Sequence, residues 1–313
     1  MKRGVIDTLR RAADNTIANW PLILIRFGET LLFGMLAVVT VIAALVPIFV
    51  SVGIEITKID SPDDIEQAMA ALMSRWVLLL WIFAAFTLLL MLFIAVHGFV
   101  EAGSARVYVD AERIAGPAPI GARSRFRVFS MDRWLTGAKD GWWTAFWIYN
   151  LAWGAAGLIL LIPLVPTIVG MLIFHEQPQI ALATGCVGLL VSILVTIVVG
   201  IVTNMWVNRA LNEWAVRHYG TRAALAAGWQ AIRSDLGRHV LVMLAILVVA
   251  MAGSSFFASF SFFAAFGEAF GDSRGIFNLF TIPVRVFASL LSSAFSAAMS
   301  AWYLASYAGL AAE

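Results

Sequence analysis

Three pairs of polar residues, each pair one helical turn apart, are the residues of this sequence best suited to chemistry inside an apolar environment. They lie in or at the ends of uncharged stretches and are His97 and Glu101, Asn204 and Asn208, and Ser296 and Ser300. Polar and ionisable groups are costly in such surroundings, so each pair is a functional candidate. If the helices that carry them pack around a common axis, the six side chains form a polar ring that contacts a polar substrate or a lipid headgroup. The alternative is that they form hydrogen bonds between helices.

Other patterns of catalysis and ligand binding are missing from the sequence. It has no phosphate-binding glycine loop with Lys and Ser or Thr, no Gly-x-Ser-x-Gly and no His-Glu-x-x-His. No group of His, Cys, Asp and Glu has the spacing of metal ligands, and the single cysteine, Cys186, cannot pair within the chain. We therefore expect no cofactor and no metal site, and we expect that the protein is not an enzyme.

The composition indicates that lipid surrounds most of the chain. Its 313 residues are 61% hydrophobic and 13% charged, whereas a soluble domain is about 25% charged. This excludes a disordered chain and a soluble nucleic-acid-binding protein. Six stretches without Lys, Arg, Asp or Glu are long enough to span a membrane: 30–53, 76–100, 141–175, 177–208, 239–267 and 286–312. We predict an all-α bundle of six transmembrane helices that forms a single integral membrane domain.

The positions of Lys and Arg predict the orientation of this bundle. Of the 21 basic residues, all except Lys58, Arg75, Arg274 and Arg285 fall on the side of the N-terminus. Since loops rich in Lys and Arg remain in the cytoplasm, we expect a multi-pass protein with both termini in the cytoplasm.

A short amphipathic segment precedes the first, third and fifth spans. Its apolar face includes Leu9 in the first segment, Trp134 in the second and Leu225 in the third, and a polar break follows at 19–21, 140–142 and 235–237. This pattern predicts three repeats of an interfacial helix plus a transmembrane hairpin, at about 1–120, 121–220 and 221–313. The basic residues of these segments are expected to contact anionic lipid; they are Arg10, Arg11, Arg125, Arg127, Arg133, Lys139, Arg222 and Arg233.

The segment Tyr108-Val109-Asp110-Ala111-Glu112-Arg113 follows the second span. It resembles a Tyr-Tyr-Asp-Leu-Arg-like string of the membrane domain associated with glycerophosphodiester phosphodiesterases, and of related six-span bacterial membrane proteins of unknown function. Tyr108, Asp110 and Arg113 carry the likeness, although Val109 replaces the second aromatic residue and the basic residue comes one place later. The resemblance implies the membrane architecture and a bacterial cytoplasmic membrane. It does not imply the enzymatic activity, because nothing in this sequence could encode the catalytic barrel.

One further feature bears on function. Arg26 and Glu29 lie one turn apart at the start of the first span, which predicts an interfacial ion pair. Taken together, the residues favour a non-catalytic membrane protein that handles or transports a small polar or lipidic molecule. One alternative is a scaffolding subunit that docks a protein partner at the cytoplasmic face through its basic loops. The other is a lipid-modifying enzyme with His97 as the base.

Overall fold

The computed structural model describes residues 3–52, 64, 76–117, 121–270 and 276–313, with the backbone alone at 47–52, 260–270 and 276–282. These residues contain no strand and form eight α-helices and one short 3-10 turn, Arg123–Phe126. The helices are α1 Val5–Ala18, α2 Pro21–Val52, α3 Trp76–Ala115, α4 Met131–Ile173, α5 Pro178–Arg217, α6 Thr221–Ser234, α7 Leu236–Phe270 and α8 Ile276–Ala311. The predicted outer residues Lys58, Arg75 and Arg274 lie outside the described residues.

Six of these helices are long and apolar enough to cross a membrane. They are α2, α3, α4, α5, α7 and α8, and each contains an apolar window of 18 residues with at most two charged side chains. This confirms the predicted all-α fold with six transmembrane helices. The protein is a multi-pass membrane protein.

Three of the spanning helices are about twice as long as a membrane requires. Helices α3, α4 and α5 contain 40, 43 and 40 residues. At about 1.5 Å per residue each is about 60 Å long, while the hydrocarbon core is about 30 Å thick. The buried residues of α3 lie at 98–115 and those of α5 at 203–215, so they begin in the last turns of the apolar stretches and continue past them. We use the name helical layer for these two segments together with α1, α6, the first half of α4 and the last turns of α8.

The chain divides into two compact units. Unit 1 consists of Met1–Arg26 and Gly98–Glu313 and contains the helical layer; unit 2 is Phe27–His97. In unit 2, Phe33 stacks on Phe93 with 4.4 Å between the ring centroids, which joins α2 to α3.

Two of the three predicted polar breaks are present and one is wrong. Helix α1 ends at Ala18 before α2 begins at Pro21, and α6 ends at Ser234 before α7 begins at Leu236. Helix α4, by contrast, continues through 140–142 without interruption. Gly141 does not end the helix. A Cβ there would lie 2.1 Å from the buried ring of Trp214, so the glycine permits the close approach of α4 and α5.

The helix that begins each predicted repeat packs against another helix of the layer. The Trp302 indole of α8 donates to the Leu9 carbonyl of α1 at 2.9 Å, and the Trp206 indole of α5 donates to the Leu225 carbonyl of α6 at 2.8 Å. The start of α4 meets α3, where a Cβ on Gly137 would lie 2.6 Å from Arg106. Tertiary contacts therefore position these helices as parts of a packed layer.

Candidate functional site

Two members of the predicted polar ring meet in unit 1 through a third residue. Arg26 donates to the Glu101 carboxylate at 2.6 Å and to the Ser300 hydroxyl at 2.6 Å. Arg26 and Glu101 are each only 3% exposed. A buried charge is stable only when it is paired, so this contact fixes α2, α3 and α8 at one point.

The other members of the predicted ring have different neighbours. The Asn208 amide donates to the carbonyl and the side-chain oxygen of Asn204, one turn earlier in α5. Ser296 is exposed and makes no hydrogen bond with residues that the structure describes. In unit 2, His97 Nδ1 lies 2.6 Å from a Glu29 carboxylate oxygen. The complete ring and the Arg26–Glu29 pair both stay predictions.

Helix α1 is held in the layer by charged and polar side chains. The Arg11 guanidinium donates to Glu112 at 2.7 Å and stacks over the Phe126 ring at 4.7 Å. The Asn15 amide donates to the Tyr108 carbonyl at 3.2 Å. Arg11 was expected to contact lipid, but it is 5% exposed and its charge is neutralised inside the protein.

The loop between α3 and α4 is fastened to α1 by two side chains that sequence reasoning missed. The Asn19 side-chain oxygen accepts from the backbone N–H groups of Val128 and Phe129, at 3.2 and 2.9 Å. Its amide donates to the Phe126 carbonyl at 2.8 Å, and the Asp14 carboxylate accepts from Arg123 at 2.9 Å. The only signal for this contact in the sequence is the run of polar residues along one face of α1.

A second buried ion pair lies in α5. Arg209 donates to Glu213 at 2.7 Å, and Arg217 lies 3.2 Å from the other oxygen of the same carboxylate. Asn212, on the same segment, is fully buried. The burial of this charged stretch could not be predicted from the sequence, because the stretch has the composition of the polar end of a span.

The residues that carry the family resemblance have structural contacts. Tyr108 is fully buried, and Arg113 donates to the Val216 carbonyl at the end of α5. Asp110 lies 3.4 Å from Arg106, one turn earlier in α3.

Most of the predicted lipid-contacting residues are on the surface. Arg133 is half-buried and donates to the Val128 carbonyl at 3.0 Å. The exposed members are Arg10, Arg125, Arg127, Lys139, Arg222 and Arg233.

An open cleft with a volume of about 260 Å³ lies where the extended ends of α3 and α5 meet the start of α4. We call it the charged cleft. Its lining comes from α3, α4, α5 and the residue that follows α5, and consists of Arg106, Asp110, Asp132, Arg133, Thr136, Gly137, Asp140, Trp214 and His218.

One side of the charged cleft is a fixed group of charges. Arg106 lies 2.7 Å from His218 Nε2 and 3.4 Å from Asp110. Because a guanidinium only donates, Arg106 donates to the His218 ring at this nitrogen. His218 has a φ of 55°, the one positive φ of a non-glycine residue in the described chain. This left-handed residue ends α5 and directs the imidazole toward Arg106.

The other side of the charged cleft has carboxylates without protein partners. Asp132 and Asp140 are exposed, and neither forms a hydrogen bond or ion pair with the described residues. The lining as a whole contains three carboxylates and two guanidinium groups. The cleft therefore carries a net negative charge with both signs present, which suits a ligand that carries a positive charge.

The fold and this site define an all-α multi-pass membrane protein with a charged cleft at one end of its helices. No three His, Cys, Asp or Glu residues in the described part of the chain are grouped so that they could hold a metal ion. Comparisons with protein-family models, with curated proteins and with solved structures give no match. The resemblance to the membrane domain associated with glycerophosphodiester phosphodiesterases therefore stays a prediction.

Proposed function

We propose that this protein is a non-catalytic membrane protein that binds a small polar or lipidic molecule in the charged cleft and handles or transports it. The observation that carries the proposal is the pair of carboxylates, Asp132 and Asp140, that line the cleft without protein partners. Buried charged groups that serve only stability are usually paired, as Arg26 and Glu101 are.

The position of the cleft along α4 suits a molecule that comes from the membrane surface. Asp140 directly precedes a cluster of exposed aromatic residues that includes Trp142 and Trp143, and exposed indoles favour the headgroup boundary. Asp132 lies eight residues earlier, which is about 12 Å farther from this boundary. The cleft thus extends from the level of the headgroups away from the membrane, and both a lipid headgroup and a dissolved molecule can reach it.

The test is to purify the chain in mild detergent, identify bound small molecules by mass spectrometry, and then measure solute flux and headgroup flipping in liposomes. We expect a bound molecule in near-stoichiometric amount that is lost from the double variant Asp132→Asn, Asp140→Asn. Asp7→Asn is the matched control, because Asp7 and Asp132 both lie in the first turn of a helix and both are exposed. A chain that binds no small molecule and supports no flux would contradict the proposal.

A scaffolding role is the second candidate. Arg125 and Arg127 are exposed on the loop that Asn19 fastens to α1, so they form a basic surface of fixed geometry. Such a surface suits an acidic protein partner. Co-elution of a stoichiometric protein in the same purification would favour this role.

We also propose the three predicted repeats, because the first helices of two of these repeats begin in the same way. Helices α1 and α6 both have 14 residues, and both follow a glycine, Gly4 or Gly220, with φ of −65°. Their fifth residues, Leu9 and Leu225, accept the indole hydrogen bonds described above. If Trp302 is aligned with Trp206, Ser300 is aligned with Asn204. The sequence pattern had aligned Ser296 with Asn204, which is one helical turn earlier in α8.

The orientation and location are proposals of the same kind. We propose that the helical layer, with both ends of the chain, faces the cytoplasm of a bacterial cell at the cytoplasmic membrane. The exposed basic residues of the layer, such as Arg10, Arg222 and Arg233, support this orientation and support contact with anionic lipid.

A further inference from the structure

We infer that the charged cleft binds a zwitterion, namely a ligand with a primary ammonium group next to an anionic group. This inference rests on the proposed function and specifies the chemistry of the molecule that is handled. Phospholipid headgroups and free zwitterions both present this chemistry.

The ammonium site is the carboxylate side of the cleft. Asp132, Thr136 and Asp140 follow one another at intervals of four residues, so they lie along one face of α4. Either carboxylate, together with the Thr136 hydroxyl one turn away, provides acceptors for the N–H groups of a primary ammonium ion. Since neither carboxylate has a partner in the described chain, a bound ammonium group would not have to displace one.

The anion site is the guanidinium of Arg133. One terminal nitrogen of Arg133 donates to the Val128 carbonyl, and Arg133 forms no ion pair with the residues that the structure describes. A guanidinium has five N–H donors, so donors remain for a phosphate or carboxylate. Arg106 contributes less, because Asp110 and His218 already occupy it.

The aromatic content of the cleft favours a primary over a quaternary ammonium group. Quaternary ammonium ions are usually recognised by exposed aromatic faces. Trp214 is the single Trp, Tyr or Phe in the lining, and it is 4% exposed. The excess of carboxylates also disfavours a ligand that is only anionic, because its charge would be repelled.

The experiment measures binding to the purified full-length chain with two kinds of probe. Soluble O-phosphoethanolamine, O-phosphocholine and inorganic phosphate are titrated calorimetrically. In parallel, nanodiscs that contain phosphatidylethanolamine, phosphatidylcholine or phosphatidylglycerol are compared by native mass spectrometry of the lipid that remains bound. We expect the ethanolamine probe to bind at least tenfold more tightly than the choline probe in one or both arms.

Variants connect the binding to the cleft. Asp132→Asn with Asp140→Asn should weaken ethanolamine binding at least tenfold, whereas the matched Asp7→Asn should leave it unchanged. Binding in the soluble arm alone identifies a free zwitterion, and binding in the nanodisc arm alone identifies a lipid headgroup; either supports the inference. Equal binding of choline or of a purely anionic probe overturns it.

The two proposals fail differently in this experiment. If a purely anionic probe or the choline probe binds best, and the cleft variant abolishes that binding, the zwitterion inference is wrong while the proposed function stands. If no probe binds and no small molecule co-purifies with the chain, both are wrong.

Discussion

Glu112 is the residue on which the attachment of α1 depends most. Its carboxylate accepts from Arg11 at 2.7 Å, from Arg3 at 3.4 Å and from Asn15 at 3.4 Å. The side chain is 1% exposed, and that of Arg11 is 6% exposed. Removal of one partner from a buried ion pair leaves an uncompensated charge in the interior, which costs far more than the pair contributes.

We therefore expect Glu112→Ala to lower the free energy of unfolding by about 3–5 kcal/mol. Unfolding in detergent, followed by tryptophan fluorescence, measures the change. The Asp7→Asn variant removes an exposed carboxylate from the same region and should cost less than about 1 kcal/mol. A loss below about 1 kcal/mol for Glu112→Ala would show that Arg11 is not held by this charge.

His218 allows a test of backbone strain at the charged cleft. Its left-handed conformation, with φ of 55°, costs an L-residue about 1–2 kcal/mol and costs glycine almost nothing. Both His218→Gly and His218→Ala lose the contact with Arg106, so only the backbone term distinguishes them. We expect the glycine variant to be more stable than the alanine variant by about 1 kcal/mol in the same unfolding measurement. Equal stability of the two variants would contradict a strained residue at this position.

At the scale of the helices, glycines set how closely the layer packs. Gly141 of α4 faces the ring of Trp214 on α5, and Gly228 of α6 faces the backbone of Ala210 on the same α5. In both places a Cβ would lie less than 3 Å from another atom. Close approach through small residues is typical of helix association in membrane proteins.

Gly141→Ala should therefore destabilise the protein by about 1–3 kcal/mol, because the added Cβ overlaps a ring that is itself buried. Gly154→Ala is the matched control on the same helix, since nothing lies within 4 Å of the added methyl group there. The thermal unfolding midpoint and the monodisperse yield in detergent provide the comparison. If both substitutions have the same effect, the close contact of α4 and α5 is wrong.

The spanning helices could be predicted from the sequence, but most of the helical layer could not. Uncharged runs such as 177–208 locate the spans because charge is excluded from lipid. The layer is built differently, since its interior contains Arg209 and Glu213, and charged residues normally indicate a surface. Their burial depends on a neighbour at the right distance, which one sequence does not reveal.

Some residues of the candidate site could be predicted from the local sequence pattern, and others are brought together only by contacts between distant segments. Glu101 and Ser300 were predicted as functional residues, and both contact Arg26. The charged cleft was not predicted, because Arg106, Asp132 and His218 come from three separate segments of the sequence. The predicted break at 140–142 failed for the same reason, since the role of Gly141 is set by Trp214 on another helix.

The orientation of the protein in the membrane is defined by the side that the helical layer faces. With Cys186 replaced by alanine, single cysteines are introduced at two exposed positions. One is Ser124, on the loop that is fastened to α1 in the layer, and the other is Glu176, between α4 and α5. A membrane-impermeant maleimide on intact cells should label position 176 and leave position 124 unlabelled until the cells are opened. The reverse pattern would place the layer outside and contradict the proposed orientation.

The most direct measurement is a photo-crosslink inside the charged cleft. Thr136 lies in the lining between Asp132 and Asp140, and a photo-reactive amino acid at this position can capture whatever occupies the cleft in native membranes. Irradiation should give an adduct with the mass of a small polar molecule or a lipid, absent when the same residue replaces Asp7, which is exposed and lies outside the cleft and the spans. A crosslink to another protein, or no adduct above that control, would contradict the claim that this cleft binds the molecule that the protein handles.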